Sequence, residues 1–408
     1  MMGHSREALA RRRELRGLSQ RNAAQAVGVN FTTYQKWESG VSSPYPNNRR
    51  RLAQVLDVTL HELDALLGGE TKDAGANERG LGVEAQAVRA SIPRLRRALD
   101  RLDLPDDGPT RAVTALRNDV AIASDDRLQA RYADLAEKLP DLVHEVARAC
   151  LANDADERRG AAGLMTLLLR AADGVAFKFG YLDLSARLID LMRAKAEQTE
   201  DRLLLAAVAY VRTETFFASR DLDAAARALE LAIDGARNLP ATGGDAALGA
   251  LHMRAAVVAG RSGKHDRATE HLAHARYRAA MVAEGVYQGT AFGAASLRIH
   301  ELAVAAELHD VAGIRRAAAW APPGSLPAER RSHYYIDLAR AQLHLGRHGD
   351  SSRSLRAARV AAPEHTRGHP QVRTTLTALL DEARNPGVDL LELAEWIGPR
   401  TAAFGGLG

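Results

Sequence analysis

Apolar residues over positions 5–67 recur at helical spacing in short blocks, each bounded by a capping residue or a glycine. The pattern predicts five short helices. Ser5 opens the first, which runs to about Arg16 and stops at Gly17. Ser19 caps a second over Gln20–Val27, closed by Gly28, and Asn30 caps a third over Phe31–Ser39, closed by Gly40. Ser42–Pro46 turn into a fourth, about Asn47–Leu56. Thr59 and Glu62 stand at capping-box spacing and open a fifth that ends near Leu67. Tyr34 and Trp37, three apart, face inward with Leu18, Val27, Val29, Leu52 and Leu63. The second and third helices, joined by Gly28-Val29, have helix-turn-helix spacing.

Residues 68–80 lose this periodicity and carry Gly68, Gly69, Gly75 and Gly80, the pattern of a flexible linker. From Leu81 to Pro399 the pattern is helical again, without convincing strand alternation, so the expected class is all-α. A repeat emerges over 156–399: an apolar helix, a tight turn, then a more amphipathic helix. Turns fall near Gly180, Arg220-Asp221, Gly263, His309-Asp310 and Gly346, about 37–46 residues apart. The first helices are Ala161–Phe179, Asp201–Ser219, Ala246–Arg261, Ala291–Leu308 and Ala328–Leu345. The second helices include Leu182–Gln198, Leu222–Asn238, His265–Glu284 and Asp350–Val360. Residues 81–155 read as a helical extension, with Val83–Leu102 as a helix pair against the linker or a dimerisation arm. Stacked hairpins bury their apolar faces and leave a concave groove. Polar residues recur in the first helices about nine positions before each turn: Arg212, Arg254, His300 and Asp337. Glu214, Arg298 and Tyr334 lie nearby, and Lys178 and Tyr181 mark the first groove. These nine are candidates to bind a peptide, a small molecule or a protein, with inter-repeat hydrogen bonding as the plainer alternative.

Charge sharpens the division. Of the 408 residues, 55 are basic and 51 acidic. Residues 1–67 hold ten basic and six acidic side chains, so the whole formal charge of +4 sits there and the remainder is neutral. A basic module on a neutral body suggests a polyanion partner for the module alone. One cysteine, Cys150, excludes an internal disulfide and fits a reducing cytoplasm. The N-terminus lacks the apolar stretch of a signal peptide, and runs such as Leu203–Val211 fall short of the ~20 residues of a membrane span.

Leu18-Ser19-Gln20, Ala24, Gly28-Val29, Tyr34, Trp37-Glu38 and Gly40 resemble the lambda-repressor-like, XRE-type DNA-binding domain over about 60 residues. Ala23 and Ala26 stand where that family has larger apolar residues, and Tyr34 and Trp37 where it has smaller ones, a volume exchange within one core. The resemblance implies an Arg13–Glu38 ion pair and a third helix in the major groove. There Lys36 would reach guanine, Gln35 adenine, and Phe31 or Thr32 a thymine methyl. Gln20, Asn30, Thr33 and Asn47 would contact phosphates of double-stranded DNA. The body resembles a tetratricopeptide-like α-solenoid. Together they imply a bacterial transcriptional regulator, expected as a homodimer because one module makes few contacts. The competing reading is a protein-interaction scaffold tethered to DNA.

No catalytic constellation, cofactor motif or metal motif emerges from spacing, and none is expected. His271 and His274 share a helix face without a diagnostic carboxylate, and His344 and His348 straddle a turn. Gly260–His265 superficially resembles a phosphate loop, yet it lacks the strand, the first glycine and the hydroxyl after Lys264.

Overall fold

The computed structural model describes residues 6–40, 44, 46–58, 63, 66–67, 82–383 and 386–398. They form two compact units, one up to Leu67 and one from Gly82 onward. The linker expected over 68–80, Ser5 and most of the predicted fifth helix lie outside the described residues.

The N-terminal unit contains α1 (Glu7–Leu15), α2 (Gln20–Val27), α3 (Phe31–Glu38) and α4 (Pro46–Leu56). Ser19 caps α2 by accepting from the Asn22 amide, and Gly28 ends it at φ 82°. Asn30 caps α3 by accepting from the Thr33 amide. Tyr34 and Trp37 pack on Ala23, Ala24, Val27, Leu52, Leu56 and Leu63, with Leu18 and Val29 partly buried beside them. The small residues that make room for the two large rings are thus Ala23 and Ala24. Ala26, expected to join them, is exposed.

The second unit continues with α5 (Val83–Asp100), α6 (Val113–Leu128), α7 (Tyr132–Ala149), α8 (Ala155–Lys178), α9 (Leu182–Glu197), α10 (Arg202–Ser219), α11 (Leu222–Ala236), α12 (Ala241–Arg261) and α13 (His265–Ala279). A β-hairpin follows, β1 (Gly285–Tyr287) and β2 (Thr290–Phe292). Then come α14 (Ala294–Glu307), α15 (Val311–Ala318), α16 (Ala328–His344), α17 (His348–Ala361), α18 (Pro363–Gly368), α19 (Pro370–Glu382) and α20 (Val388–Ile397). Val83–Leu102 is therefore built around a single helix, α5, and it packs on α7.

Helices pair across turns built to one plan. Gly180, Arg220, Gly263, His309 and Gly346 each adopt a left-handed conformation. The next residue's amide then bonds back five positions, from Tyr181, Asp221, Lys264, Asp310 and Arg347 to Ala176, Phe216, Ala259, Ala305 and Gln342. This is the helix-ending arrangement in which a left-handed residue lets orphan carbonyls be satisfied. The same turn occurs at Ala130, with Arg131 bonding to Asp126. The hairpin pattern thus begins at α6–α7, inside the segment expected to be an extension.

The β-hairpin corrects the all-helical reading of 280–293. Helices expected over His265–Glu284 and Ala291–Leu308 stop at Ala279 and start at Ala294. Gly285, Val286 and Tyr287 pair with Phe292, Ala291 and Thr290. Gln288 and Gly289, both at positive φ, make the two-residue turn. Two positive φ values in succession match the right-handed strand twist. Phe292 is fully buried and locks the hairpin onto α12, where a Cβ added at Gly249 would run into its ring. Gly249→Ala is therefore expected to lower stability by about 1–3 kcal/mol through overpacking. Chemical denaturation of the full chain, followed by circular dichroism, measures it.

Among the described residues, helix α8 is long and apolar enough to cross a membrane by composition, a property that sequence reasoning assigned to no segment. Most of it is buried inside this unit, where Ala161, Met165, Leu168, Leu169, Val175 and Ala176 join the main core.

Candidate nucleic-acid interface and buried polar cluster

Helix α3 divides cleanly into two faces. Tyr34, Trp37 and Glu38 are buried, while Phe31, Thr32, Gln35 and Lys36 are exposed. The four exposed residues follow i, i+1, i+4, i+5 spacing and therefore share one side of the helix. Phe31 is 37% exposed, and the Arg21 guanidinium lies 5.7 Å from its ring centroid. Arg51 is exposed, and its guanidinium approaches Gly28 in the turn between α2 and α3. Arg21 and Arg51 were not among the expected site residues. Charge was the signal that could have found them.

Behind this face lies a buried ion pair. Arg13 Nε donates to Glu38 Oε1 at 2.6 Å, and the two side chains are 8% and 5% exposed. Arg13 also donates to the Leu18 carbonyl oxygen at 2.7 Å. The hydrogen bond to Glu38 raises the Arg13 pKa further. Gln20 Nε2 donates to Glu38 Oε2 at 2.6 Å. The structure thus engages the Gln20 amide in this pair, whereas the family resemblance assigned it to a phosphate.

Asn30 Oδ1 accepts from both the amide and the hydroxyl of Thr33, at 2.9 and 2.7 Å. Thr33 is accordingly half-buried and turned toward the cap. Asn47 lies in the first turn of α4, and its side chain is outside the described set. The unit's basic charge is also partly internal. Arg6 donates to the Trp37 carbonyl, Arg12 to that of Leu56, and Arg16 pairs with Asp57. Among the described side chains, Lys36, Arg21 and Arg51 are exposed on or beside α3.

In the second unit the nine groove candidates separate. Four enter a polar interior. Arg254 donates to the Thr213 hydroxyl at 2.5 Å and to Glu214 at 3.1 Å, and stacks on Tyr210 and Phe217. His300 is buried and bonded to the Ser296 carbonyl of its own helix. Lys178 Nζ lies 3.1 Å from Glu329 Oε1. The others disperse. Asp337 pairs with Arg340. Arg212 and Arg298 are exposed, over Phe216 and Trp320. Tyr181 is half-buried, with Arg89 and Arg96 of α5 acting on its hydroxyl. Tyr334 is a core residue whose hydroxyl sits 2.6 and 2.7 Å from the Ala317 and Trp320 carbonyls.

Two sets of contacts join parts of this unit that are far apart in sequence. The hairpin tip reaches inward, where Arg127 donates to the Gly289 carbonyl at 2.6 Å. Tyr287, Gln288 and Thr290 cover an apolar pocket between α10 and α12, lined by Leu203, Ala206, Tyr210 and Ala250. Helices early and late in the unit also meet. The Ala328 amide donates to Gln129, the Ala133 amide to Glu364, and Arg367 pairs with Glu84. Burial lowers the pKa of Arg127 and holds Arg170 at about 9. Sequence reasoning missed Arg127 and Arg170: Arg127 follows Asp125 and Asp126 and reads as a solvated charge, and Arg170 is a lone charge in an apolar run with no spacing signal.

Burial lowers the His300 pKa to about 3 and that of His252 to about 4, the latter also pushed by His271 and His274. Both rings are neutral in the fold and must take up a proton to unfold below their ordinary pKa near 6.5. Stability is therefore full above that value and lost as pH falls toward 4 and 3, by about 1.4 kcal/mol per pH unit for each group. Thermal melts are expected to shift down steadily from pH 7 to 5, and His300→Gln is expected to flatten that slope.

The structure also gathers histidines that linear spacing kept apart. His333, His365 and His369 bring their ring nitrogens within 4.8 Å of one another. Spacing along the chain did not point to this cluster. Linear spacing drew attention to His271 and His274 instead. The set joins His333, in Glu329-x-x-x-His333, to the local pair His365-x-x-x-His369 that begins 32 positions later.

Comparison with known proteins bears on the first unit. Residues 9–63 match the Helix-turn-helix family. Over 58 residues the chain is 33% identical to the cryptic phage CTXphi transcriptional repressor RstR of Vibrio cholerae serotype O1, covering 14% of this chain. The chain spans about half, 52%, of that protein's length. No solved structure matches the chain.

Proposed function

We propose that this protein is a sequence-specific DNA-binding transcriptional regulator that acts in the cytoplasm without an enzymatic activity of its own. The observation that carries the reading is the exposed face of α3. Phe31, Thr32, Gln35 and Lys36 project from a helix fixed from behind by the Arg13–Glu38–Gln20 bonds. A rigid helix with amide, hydroxyl and ammonium groups on one side can read base edges, and Arg21 and Arg51 beside it suit phosphates. The helix-turn-helix match and the repressor relative support the same reading.

The second unit, in this proposal, is a tetratricopeptide-like solenoid that pairs two chains and senses a ligand. The common turn at six positions supports the repeat, and the apolar pocket between α10 and α12 supports a ligand site. Such a ligand would have to displace the β-hairpin, since Tyr287, Gln288 and Thr290 cover the pocket. It shifts the two states only if it binds the open one more tightly. A selected-binding-site experiment with the full chain, paired with sedimentation of the complex, tests the reading. The expected product is a palindrome bound by two chains, with half-sites about 10 base pairs apart. Failure to enrich any sequence contradicts it.

A further inference from the structure

The cluster around Lys178 has a composition that an ion pair does not require. Lys178 Nζ lies 2.7 Å from His333 Nε2, 3.0 Å from His365 Nε2 and 3.1 Å from Glu329 Oε1. One ammonium thus sits among two imidazole nitrogens and a carboxylate oxygen. His369 completes the ring, its centroid 5.2 Å from those of both other histidines. Glu329 and His333 are four apart on α16, and His365 and His369 are four apart across the end of α18. Helix α16 thus presents an i, i+4 pair, while His365 on α18 and His369, in extended backbone just past its end, come from a second segment toward the same point.

Support of the kind a donor needs is in place at His365, whereas His369 Nδ1 accepts from the Gln371 amide at 3.3 Å, a cap bond that ligation through either ring nitrogen would replace. The Ser332 hydroxyl lies 2.9 Å from His365 Nδ1 and 2.9 Å from the Thr366 hydroxyl. Nδ1 can therefore hold the proton and leave Nε2 as the lone-pair donor, the role such outer partners play at metal sites. His365 is 1% exposed. Glu329 Oε2 is buried without a hydrogen-bond partner, with Arg330 Nε 3.5 Å away.

We propose that Glu329, His333, His365 and His369 form a binding site for one divalent transition-metal ion of the zinc type, with the Lys178 ammonium holding the ion's position in its absence. Imidazole and carboxylate are the donors this class of ion takes in four-coordinate sites. Tetrahedral bonds of about 2.0–2.1 Å need donors roughly 3.3 Å apart. The three histidine nitrogens, now within 4.8 Å of one another, and Glu329 Oε1, 3.2 Å from His333 Nε2, must draw together by side-chain rotation to reach that spacing. Two cations cannot share the site, so the ion displaces Lys178, whose side chain is 18% exposed and ends α8. Binding then clips α16 to α18 and frees the end of α8, a coupling that stands whether or not the protein binds DNA.

The test uses the full chain, stripped with chelator and titrated with cobalt(II), read by its visible absorption and by metal content per chain. One cobalt per chain with a tetrahedral spectrum is expected, and zinc should displace it. His369→Gln, at the half-buried position, should weaken binding at least tenfold, and His365→Gln should do the same if it folds. Lys178→Met should tighten binding about tenfold by removing the competing cation. Absence of stoichiometric cobalt in the parent overturns the site. So does binding that both histidine variants leave unchanged. Lys178→Met chains that bind no more tightly overturn the displacement.

Discussion

Lys36→Ala is expected to lower affinity for the selected DNA site by about 10- to 100-fold while the N-terminal unit stays folded. Lys36 is exposed on α3 and belongs to no hydrophobic contact of that unit's core. Its loss should therefore act on binding alone. A bidentate or charged contact to a base edge contributes about 1–3 kcal/mol of discrimination. Thr32→Ala, one turn away on the same face, should relax preference at one base position with a smaller loss of affinity. The two variants separate readout from attraction. A residue that only neutralises a phosphate weakens all sequences alike and reduces the salt dependence by about one ion. Fluorescence anisotropy on the selected site and on a scrambled duplex, at several salt concentrations, distinguishes the outcomes. Equal losses on both duplexes would move Lys36 from base contact to phosphate contact.

Glu38→Ala is expected to abolish DNA binding by a different route, through unfolding of the N-terminal unit. Removing the carboxylate leaves the Arg13 guanidinium buried without its partner and strands the Gln20 amide. Breaking a buried ion pair from one side costs about 3–5 kcal/mol. A single core of this size supplies about that much in total, so little net stability should remain. Glu38→Gln should fall between, because its one amide oxygen can still accept from Arg13 while its NH2 group faces the Gln20 amide as a second donor, and it carries no charge. Arg13→Met with Glu38→Leu, which replaces the pair by apolar groups, should recover much of the stability. The difference in near-ultraviolet circular dichroism between variant and parent, in which the unchanged Trp320 and Trp396 of the second unit cancel, reports loss of the packed Trp37 environment. A Glu38→Ala chain that melts like the parent would show that the pair is not what holds α1 to α3.

The first unit was largely legible because its signals are local. Ser19, Asn30 and Gly28 act within a turn of their own helices, and the spacing of Tyr34 and Trp37 decides which face is buried. The partner of Gln20 was not legible, since Glu38 lies 18 positions away and two polar residues at that separation carry no periodicity. Glycine gave away three turns of the second unit, and its absence hid another. Ala130 adopts the same left-handed conformation without a glycine to announce it, so the first hairpin read as an extension. The β-hairpin escaped for a related reason. Its strands are three residues long, and Gln288 stands where Asn or Asp would have signalled the turn. The contact of Arg127 with the hairpin tip and the meeting of the His333 and His365–His369 segments depend on packing between residues far apart in sequence, which no window of residues contains.

Reading of DNA sequence by α3 is the central claim. The most direct test is the affinity of the full chain for its selected site against a scrambled duplex of equal length. Parent, Thr32→Ala and Lys36→Ala are to be measured at matched salt. The parent is predicted to prefer its site by at least about a thousandfold. Both variants, folded as judged by their melts, are predicted to lose preference at the base pairs they face. A parent that binds both duplexes alike, or variants that keep the parent's full preference, would contradict the claim.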